Sequence, residues 1–324
     1  MTDISSGRSV FALGETLLDM VSLPPNNNEV VDEAHMFQAV PGGSVLNASV
    51  SLGRMGVDIQ LISEFGNDKA GDLIDDFLKK NSVKTNFCTR HTDHKTSIAL
   101  AFLDQSKNAS YTFYLDSPDS LPETNIPAFK QDDILLFGSF YSVKPERRSF
   151  ILSVLKNAVE AKSAIYYDLN IRKNHAATML DLMSSYLNNI SVATVVKGSD
   201  EDFRNLIGTD DPAAVFEKIN SYCKVLIMTN GNKPLHVLMP GFHKTYSIPE
   251  IIPVSTIGAG DNFNAGFIYG LLTTGFNARQ MLDIPEKEID RMVGCGIAFS
   301  TETCLSPENY ISGNFAPEFW TKYI

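Results

Sequence analysis

A short glycine-rich segment around residue 258 carries the residue types needed to bind and move a phosphoryl group. Gly258, Ala259 and Gly260 lead directly into Asp261 and an apolar, helix-like stretch that extends to Leu272. Small residues permit a tight turn with exposed N–H groups, and the first turn of a helix has unpaired donors and a partial positive charge. Such a turn favours an anion, including the negative charge that develops on a transferring phosphoryl group.

Asp261 stands at the mouth of this predicted anion site. A carboxylate there can accept the proton of an attacking hydroxyl, which phosphoryl transfer to an alcohol requires. A short acidic residue before a helix can equally act as an N-cap, and the local sequence by itself favours that role. The spacing matches neither GxxxxGK[ST] nor GxGxxG, so it indicates neither a P-loop nor a dinucleotide-binding turn.

The elements that must position these groups alternate along the chain. Short apolar runs predict strands, and the longer amphipathic segments between them predict helices. This alternation indicates βαβ units and a mostly parallel sheet covered by helices, with functional residues at the carboxyl ends of the strands. The predicted strands are Val10–Leu13, Ile59–Ile62, Ile134–Phe137, Ala164–Tyr167, Val192–Val196 and Val225–Met228, and the predicted helices are Ser44–Met55, Ala70–Asn81, Glu146–Ala161, Ala176–Asn188 and Asp200–Leu206.

Two stretches interrupt this alternation, at about residues 16–40 and 96–115. They contain short extended pieces, among them Thr96–Leu103 and the alternating Ser110–Leu115, with residues 104–108 as the predicted hairpin turn. We expect a small antiparallel sheet that projects from the main domain, as either a lid or a decorative edge. No repeat or linker divides the chain, so residues 1–324 are predicted to form a single α/β domain with this discontinuous insertion.

Composition and charge limit the class of protein. Of 324 residues, 44% are hydrophobic and 20% are charged, as in an ordinary globular protein, and the formal net charge is −11. The acidic balance disfavours a nucleic-acid partner, which requires a basic surface. No apolar run reaches the ~18 residues that cross a bilayer, and no signal peptide is evident, so we expect no membrane partner. Four cysteines without metal-ligand spacing fit a reduced, cytoplasmic protein.

Two long motifs resemble the signatures of the ribokinase-like (PfkB) carbohydrate kinases. Thr256–Gly266 is similar to the carboxyl-terminal signature, and Pro41–Ala48 followed by Leu52–Gly56 resembles the amino-terminal one. Phe65–Gly71 resembles the glycine-bearing segment that comes next in the family. The similarity in type and order runs from about residue 11 to 267, and two signatures in the right order are more specific than either one alone.

This resemblance implies a fold, an activity and a set of site residues. The implied fold is a ribokinase-like three-layer α/β/α domain with a mostly parallel sheet and a small β lid. The implied activity is a kinase that uses ATP and Mg²⁺, with Asp261 as the base, Gly258–Asp261 as the anion hole, and Asp202 (usually glutamate) reaching magnesium through water. The residues that the resemblance places on the sugar are Asp19, Gly42, Gly43, Asn47, Phe102, Phe113, Asn170 and Arg172, and those that it places on the nucleotide are Lys197, Ser199, Thr229, Gly231, Gly258 and Gly260.

The motifs nearest the sugar resemble those of fructokinases. Gly14–Asp19 and Ala101–Phe102 point to that branch, and Asp168–Arg172 resembles a segment of fructokinases and of 2-keto-3-deoxygluconate kinases. Leu115 stands where many fructokinases carry an arginine, so an acidic ketose whose carboxylate binds Arg172 stays open. A ribokinase or nucleoside kinase of the same fold, and a catalytically silent sugar-binding sensor, are the further alternatives.

Three more features bear on the nucleotide, the cation and the assembly. Pro234 stands where a second glycine is common, so the loop after Thr229–Gly231 is expected to differ in backbone. Ser255 stands where many relatives have an aspartate beside a potassium site, and a neutral hydroxyl is a poorer ligand for a hard cation. We therefore predict that no monovalent cation is needed. Lid sheets in the family often pair between subunits, so we expect a homodimer.

Overall fold

The computed structural model describes residues 7–22, 36–103, 109–116, 118–121, 125–171, 179–316 and 319, and these residues form two β-sheets and eight α-helices. The strands are β1 (Val10–Leu13), β2 (Leu17–Ser22), β3 (Phe37–Gly42), β4 (Ile59–Gly66), β5 (Val83–His91), β6 (Ile98–Leu103), β7 (Ala109–Tyr114), β8 (Ile134–Gly138), β9 (Ala164–Asp168), β10 (Val195–Ser199), β11 (Leu226–Asn230), β12 (Lys233–Met239) and β13 (Phe242–Tyr246). The helices are α1 (Ser44–Arg54), α2 (Lys69–Lys80), α3 (Arg148–Ala161), α4 (Met179–Val192), α5 (Asp200–Ile207), α6 (Pro212–Ile219), α7 (Ala259–Thr274) and α8 (Glu286–Cys304).

The larger sheet has nine strands in the order β13-β12-β11-β10-β9-β8-β1-β4-β5. All neighbours from β11 to β5 are parallel, whereas β12 and β13 add an antiparallel hairpin at one edge. Strands such as β1 and β8 are buried along their whole length, as expected for a sheet with both faces covered. Because the parallel strands share one direction, their carboxyl ends meet at a single edge of the sheet.

Each face of this sheet has its own hydrophobic core. Successive residues of β1 point to opposite sides, so that Val10 and Ala12 join one core while Phe11 and Leu13 join the other. Helices α1, α2, α7 and α8 contribute apolar side chains to the first core, and α3, α4, α5 and α6 contribute to the second. The predicted three-layer α/β/α architecture is thereby confirmed.

The smaller sheet, called the lid sheet below, has the strand order β3-β2-β6-β7. Its outer pairs, β2 with β3 and β6 with β7, are antiparallel, and its central pair, β2 with β6, is parallel. The predicted second sheet is therefore confirmed. The predicted hairpin turn at 104–108 lies outside the described residues.

The structure adds elements that the apolar pattern does not indicate. The hairpin of β12 and β13 is one such element: Pro234 occupies the second, exposed position of β12, and the outer strand β13 alternates between half-buried and exposed residues because it forms the sheet edge. Helices α6 and α8 are further additions, and α6 begins where the Asp211 side chain accepts a hydrogen bond from the Ala214 N–H. Among the helices described here, none combines the length and the apolar character that a membrane span requires.

Candidate active site

The glycine-rich turn forms the amino-terminal end of α7, as predicted. Gly258 is the N-cap of this helix with φ of 79°, and a Cβ atom added to it would lie 2.4 Å from the carbonyl oxygen of Asn309. Only glycine satisfies both constraints. The Ala259 N–H already bonds to the Thr256 carbonyl oxygen at 3.3 Å. The first-turn amides of Gly260 and Asp261 therefore remain as the donors that can meet an anion.

Asn262, which the sequence motifs do not single out, secures this turn. Its buried side-chain amide donates to the Gly258 carbonyl oxygen at 2.7 Å and to the Asn309 carbonyl oxygen at 2.8 Å. Its own oxygen accepts a hydrogen bond from the hydroxyl of Ser51 in α1. These contacts tie the amino-terminal end of α7 to α1 and to the carboxyl-terminal segment.

The Asp261 carboxylate is held by helix α1. The Ser44 hydroxyl donates to Asp261 Oδ1 at 2.8 Å, and the Asn47 side-chain amide donates to Oδ2 at 2.9 Å. Since Gly258 is the N-cap and no side chain caps α7, the N-cap interpretation of Asp261 is wrong. Its carboxylate is held across the gap between two helices.

Burial raises the pKa of Asp261 above its ordinary value. The neighbouring charge of Asp168 raises it further, while the hydrogen bonds from Asn47 and Ser44 and the charge of Lys197 lower it in part. A carboxylate with an increased proton affinity, held in place by two donors, is suited to accept a proton from a substrate hydroxyl.

A buried ion pair lies beside this carboxylate. Lys197 in β10 is the register partner of Asp168 in β9, and its Nζ lies 3.1 and 3.3 Å from the two Asp168 oxygens. Asn264 of α7 donates to the same carboxylate at 2.6 Å. A Cβ atom on Gly260 would lie 3.2 Å from Lys197 Nζ, so the ammonium group sits against the predicted anion hole. Burial lowers the pKa of Lys197, but nearby carboxylates, Asp168 foremost, raise it overall, so the group stays charged.

The predicted sugar-binding residues of α1 and the lid sheet meet at the turn before α1. A Cβ atom on Gly42 would lie 2.0 Å from the Asp19 carboxylate, and one on Gly43 would lie 2.4 Å from the Glu15 carbonyl oxygen. The Asp19 side chain can lie over this turn because Gly42 has no Cβ, and the Glu15 backbone can approach because Gly43 has none. Within the described residues, the buried Oδ1 of Asn47 has no hydrogen-bond partner.

Asn170, which follows the end of β9, contacts the first residue of α1. Its backbone has φ of 41°, and its side-chain amide donates to the Ser44 hydroxyl at 3.1 Å. Arg172, the other predicted sugar ligand of this segment, lies outside the described residues. The site residue that motif reasoning missed here is Ser44, although it follows the two glycines directly in the sequence.

The two predicted lid aromatics lie on opposite faces of the lid sheet. Asp19 in β2 is the register partner of Ala99 in β6, and Ala99 is the partner of Phe113 in β7, so these three residues share one face. Phe102 belongs to the other face, where its ring contacts Phe37 edge-on at 5.7 Å. Only Phe113 is therefore on the same side as Asp19.

Asp202 supports the loops at the ends of β9 and β10. Ser199 is the N-cap of α5 and forms a reciprocal capping box with Asp202. The two Asp202 oxygens accept the backbone N–H groups of Ile171 and Ser199, each at 2.6 Å. The described geometry thus gives Asp202 a role in holding the backbone.

An open cleft of about 140 Å³ borders the predicted anion hole at Ala259 and Gly260. Its lining combines apolar and polar residues, which suits an aromatic ring joined to a polar group. Thr229 and Gly231, both predicted nucleotide residues, lie at its edge. The cleft is lined by Thr229, Asn230, Gly231, Leu235, Ile248, Ala259, Gly260, Phe263, Ile297, Ser300 and Thr301.

Comparisons with known proteins bear on the family of the chain. The family model for "pfkB family carbohydrate kinase" matches residues 8–312. The chain is 28% identical over 276 residues to a probable fructokinase-7 of Arabidopsis thaliana, which covers 81% of this chain and 78% of that protein. It is 26% identical over 271 residues to a fructokinase of Klebsiella pneumoniae, with 82% and 85% covered.

Solved structures share the fold over nearly the whole chain. A fructokinase from Xylella fastidiosa with bound ATP superposes with a TM-score of 0.82 at 20% identity, covering 97% of this chain and 98% of that one. An aminoimidazole riboside kinase from Salmonella enterica, complexed with aminoimidazole riboside and an ATP analogue, gives 0.81 at 18% identity, with 97% and 100% covered. A fructokinase from Vibrio cholerae with fructose, ADP and calcium gives 0.76 at 22% identity, with 93% and 94% covered.

Proposed function

Because the chain belongs to the pfkB family of carbohydrate kinases, we propose that it transfers the γ-phosphate of ATP to a primary hydroxyl of a sugar, with fructose as the preferred acceptor. The observation that carries this proposal is the position of Asp261. Its carboxylate stands in the first turn of α7, beside two anion-binding amides, and is held by Ser44 and Asn47 of α1. The curated fructokinases at 26–28% identity support the choice of sugar.

Asp261 acts as the general base in the proposed reaction. It takes the proton of the sugar hydroxyl as the hydroxyl oxygen forms a bond to the γ-phosphorus. The bond from that phosphorus to the β–γ bridging oxygen breaks, and ADP leaves with the electron pair. The raised pKa of Asp261 favours this transfer because the carboxylate holds a proton more strongly than an exposed one does.

The amides of Gly260 and Asp261 stabilise the charge on the transferring group. Lys197 adds a positive charge from the other side of Gly260. These donors are fixed before the reaction by the Asn262 contacts and by the buried Asp168 pair, so little reorganisation is needed.

The nucleotide occupies the cleft beside the anion hole. Its base lies among the apolar side chains of Phe263 and Ile297, and Thr229 and Gly231 lie near its polar parts. Among the described residues, no group of three acidic, histidine or cysteine side chains forms a metal site. This fits Mg²⁺, which keeps several waters and binds through nucleotide phosphates; Asp202 would contact it through a water molecule. Bound magnesium would neutralise charge on the β- and γ-phosphates.

The sugar lies between α1 and the lid sheet. Asp19, Asn47 and Asn170 offer carboxylate and amide groups for its hydroxyls, and the Gly42-Gly43 turn allows close approach of the backbone. Phe113 covers the sugar from the lid, which keeps water away from the transferring phosphate. A riboside is the second candidate acceptor, because the aminoimidazole riboside kinase superposes nearly as well as the ATP-bound fructokinase.

A substrate panel tests the proposal. ADP release is measured with ATP and fructose, ribose, 2-keto-3-deoxygluconate, adenosine or aminoimidazole riboside, and the phosphorylated carbon is identified by NMR. We expect the highest kcat/KM with fructose, and a collapse of turnover in D261N with sugar binding retained. Saturable sugar binding without ADP release would instead support a sensor, and preference for 2-keto-3-deoxygluconate would assign Arg172 to a carboxylate.

A further inference from the structure

Ser44 connects the proposed base to the proposed sugar site through a single hydroxyl group. This hydroxyl donates to Asp261 Oδ1 at 2.8 Å and accepts from Asn170 Nδ2 at 3.1 Å. The direction of both bonds follows from the groups involved, because an ionised carboxylate only accepts and an amide NH₂ only donates. The chain Asn170–Ser44–Asp261 thus spans three elements: the end of β9, the first turn of α1 and the first turn of α7.

We propose that Ser44 is a positioning residue that couples sugar contact at Asn170 to the orientation and ionisation of Asp261. This inference rests on the proposed function, in which Asn170 binds the sugar and Asp261 accepts its proton. Sugar binding that orders the Asn170 amide also fixes the Ser44 hydroxyl, and the ordered hydroxyl holds Oδ1 of the base. The base is then best aligned when an acceptor is present.

Of the two side chains that donate to Asp261, Ser44 is the one that also contacts Asn170. Asn47 holds the other oxygen, Oδ2, but its bond does not pass to the β9 segment. The charged groups that face the carboxylate are Asp168 from β9 and Lys197 from β10, while α1 contributes only the neutral Ser44 and Asn47. Ser44 is therefore the neutral group through which the β9 segment reaches the base.

The removal of this hydroxyl has a defined electrostatic sign. A donor to a carboxylate stabilises the ionised form, so loss of the donor must raise the pKa of the acid. Because a hydrogen bond to a charged group contributes a tenfold effect or more, the expected upward shift in S44A is about one pH unit. Threonine at this position retains the hydroxyl, so S44T should lie closer to wild type.

The first test needs no substrate. Protein labelled with ¹³C at the aspartate carboxyl carbons is titrated by NMR, and the Asp261 signal is identified by its absence in D261N. S44A should shift the titration upward, whereas S49A should leave it unchanged. Ser49 is the matched control because it is a buried serine of the same helix whose hydroxyl donates to the Val45 carbonyl oxygen of its own helix. An S44A titration that coincides with wild type overturns the proposal.

The second test uses the sugar that the panel identifies. S44A should lower kcat about tenfold and move the acid limb of the pH–rate profile upward, with less than about a threefold change in the sugar KM. The double variant S44A/N170A should lose less than the product of the two single losses, because the two residues act in one chain. Multiplicative losses, or an unmoved acid limb, contradict the coupling.

The two tests separate this inference from the proposed function. If no sugar is phosphorylated, the proposed function fails, while the NMR titration still decides whether Ser44 controls Asp261. If the enzyme is active and S44A retains the wild-type kcat and acid limb, the coupling fails alone. Should S44A not fold, S44C keeps the size of the side chain, replaces the hydroxyl by a much weaker donor and takes its place in both tests.

Discussion

The side-chain amide of Asn47 and the carboxylate of Asp261 form a hydrogen bond of 2.9 Å between residues 214 positions apart in the sequence. The bond joins the helix that carries the predicted sugar ligands to the helix that carries the proposed base. Burial of this carboxylate disfavours its charged form and raises the pKa of Asp261. The proposed base is therefore oriented by the helix that carries the predicted sugar ligands, and this arrangement costs stability once the carboxylate ionises.

The first prediction concerns that cost. An acid whose pKa is higher in the folded than in the unfolded protein opposes folding once it ionises. D261N should thus unfold at a higher temperature than wild type at pH 8. Its amide can be accommodated because the Asn47 Oδ1 is an acceptor without a partner among the described residues.

The sign of this effect makes it testable by pH. The stability contribution of a protonated Asp261 is present at low pH and is lost as the pH rises through the folded pKa, so the advantage of D261N should shrink on acidification. Calorimetry at pH 8 and at pH 4 measures both values. An advantage of the same size at both pH values would argue for a packing effect instead.

The second prediction concerns Gly258 and uses Gly56 as a matched control. Both glycines have φ of 79°, but a Cβ atom on Gly258 meets the Asn309 carbonyl oxygen at 2.4 Å, whereas Gly56 has nothing within 4 Å. G258A should lower kcat/KM about 100-fold or more, because it displaces the donors of the anion hole. G56A should lose only about 1 kcal/mol of stability from backbone strain and keep its activity. Equal activities of the two variants would rule out the anion hole proposed here.

The third prediction separates the two lid aromatics. Phe113 shares its face of the lid sheet with Asp19, while Phe102 lies on the opposite face against Phe37. F113A should raise the sugar KM about tenfold, as expected for the loss of one aromatic contact, and F102A should change it little. Steady-state kinetics with varied sugar and saturating ATP provides the comparison. A larger effect of F102A would mean that the lid presents its other face to the sugar.

The fourth prediction concerns monovalent cations. The Ser255 hydroxyl, in the place of a family aspartate, accepts a hydrogen bond from the Ile257 N–H at 3.2 Å. A neutral, already bonded hydroxyl binds a hard cation weakly, so replacing tetramethylammonium by potassium should change kcat less than about twofold. Activity assays at constant ionic strength check this, with S255D as the variant expected to gain activation. A many-fold increase in the wild type would refute the prediction.

The fifth prediction concerns a buried ion pair at the base of the lid sheet. The Arg147 guanidinium contacts the Glu64 carboxylate, which also accepts hydrogen bonds from Tyr141 Oη at 3.1 Å and from His91 Nε2 at 2.9 Å. R147M leaves Glu64 buried without its cation and should cost about 3–5 kcal/mol in the free energy of unfolding. Urea denaturation measures the loss.

Two further variants show whether the stability lost in R147M comes from the unpaired Glu64 charge. The double variant R147M/E64M should recover part of it, since no buried charge then remains unpaired. K79A removes the surface ion pair between Lys79 and Asp75 and should cost far less stability than R147M. A loss in R147M no larger than that in K79A would mean that the buried pair does little for the fold.

The sequence by itself determined the fold class and predicted an anion site at the amino-terminal end of α7. Short apolar runs between amphipathic segments predict six strands of the central sheet. This works because a strand buried on both faces is a continuous apolar run, whereas a helix has apolar residues at helical spacing. Gly258, Ala259 and Gly260 predict the anion hole because small residues allow a tight turn directly before a helix, which is also a local property of the sequence. The order of the two glycine-bearing motifs then indicated the carbohydrate kinase family. The match of the family model to residues 8–312 confirms this.

Only the tertiary structure decided which side chains meet. Ser44 reaches Asp261 across 217 sequence positions, and Asn264 reaches Asp168 across 96, so no local pattern could pair them. The separation of Phe102 from Phe113 depends on strand register, where a shift of one residue exchanges the two faces of the sheet. The residue types of the site are a property of the sequence, whereas the orientation of the Asp261 carboxylate is set by the long-range packing of α1 against α7.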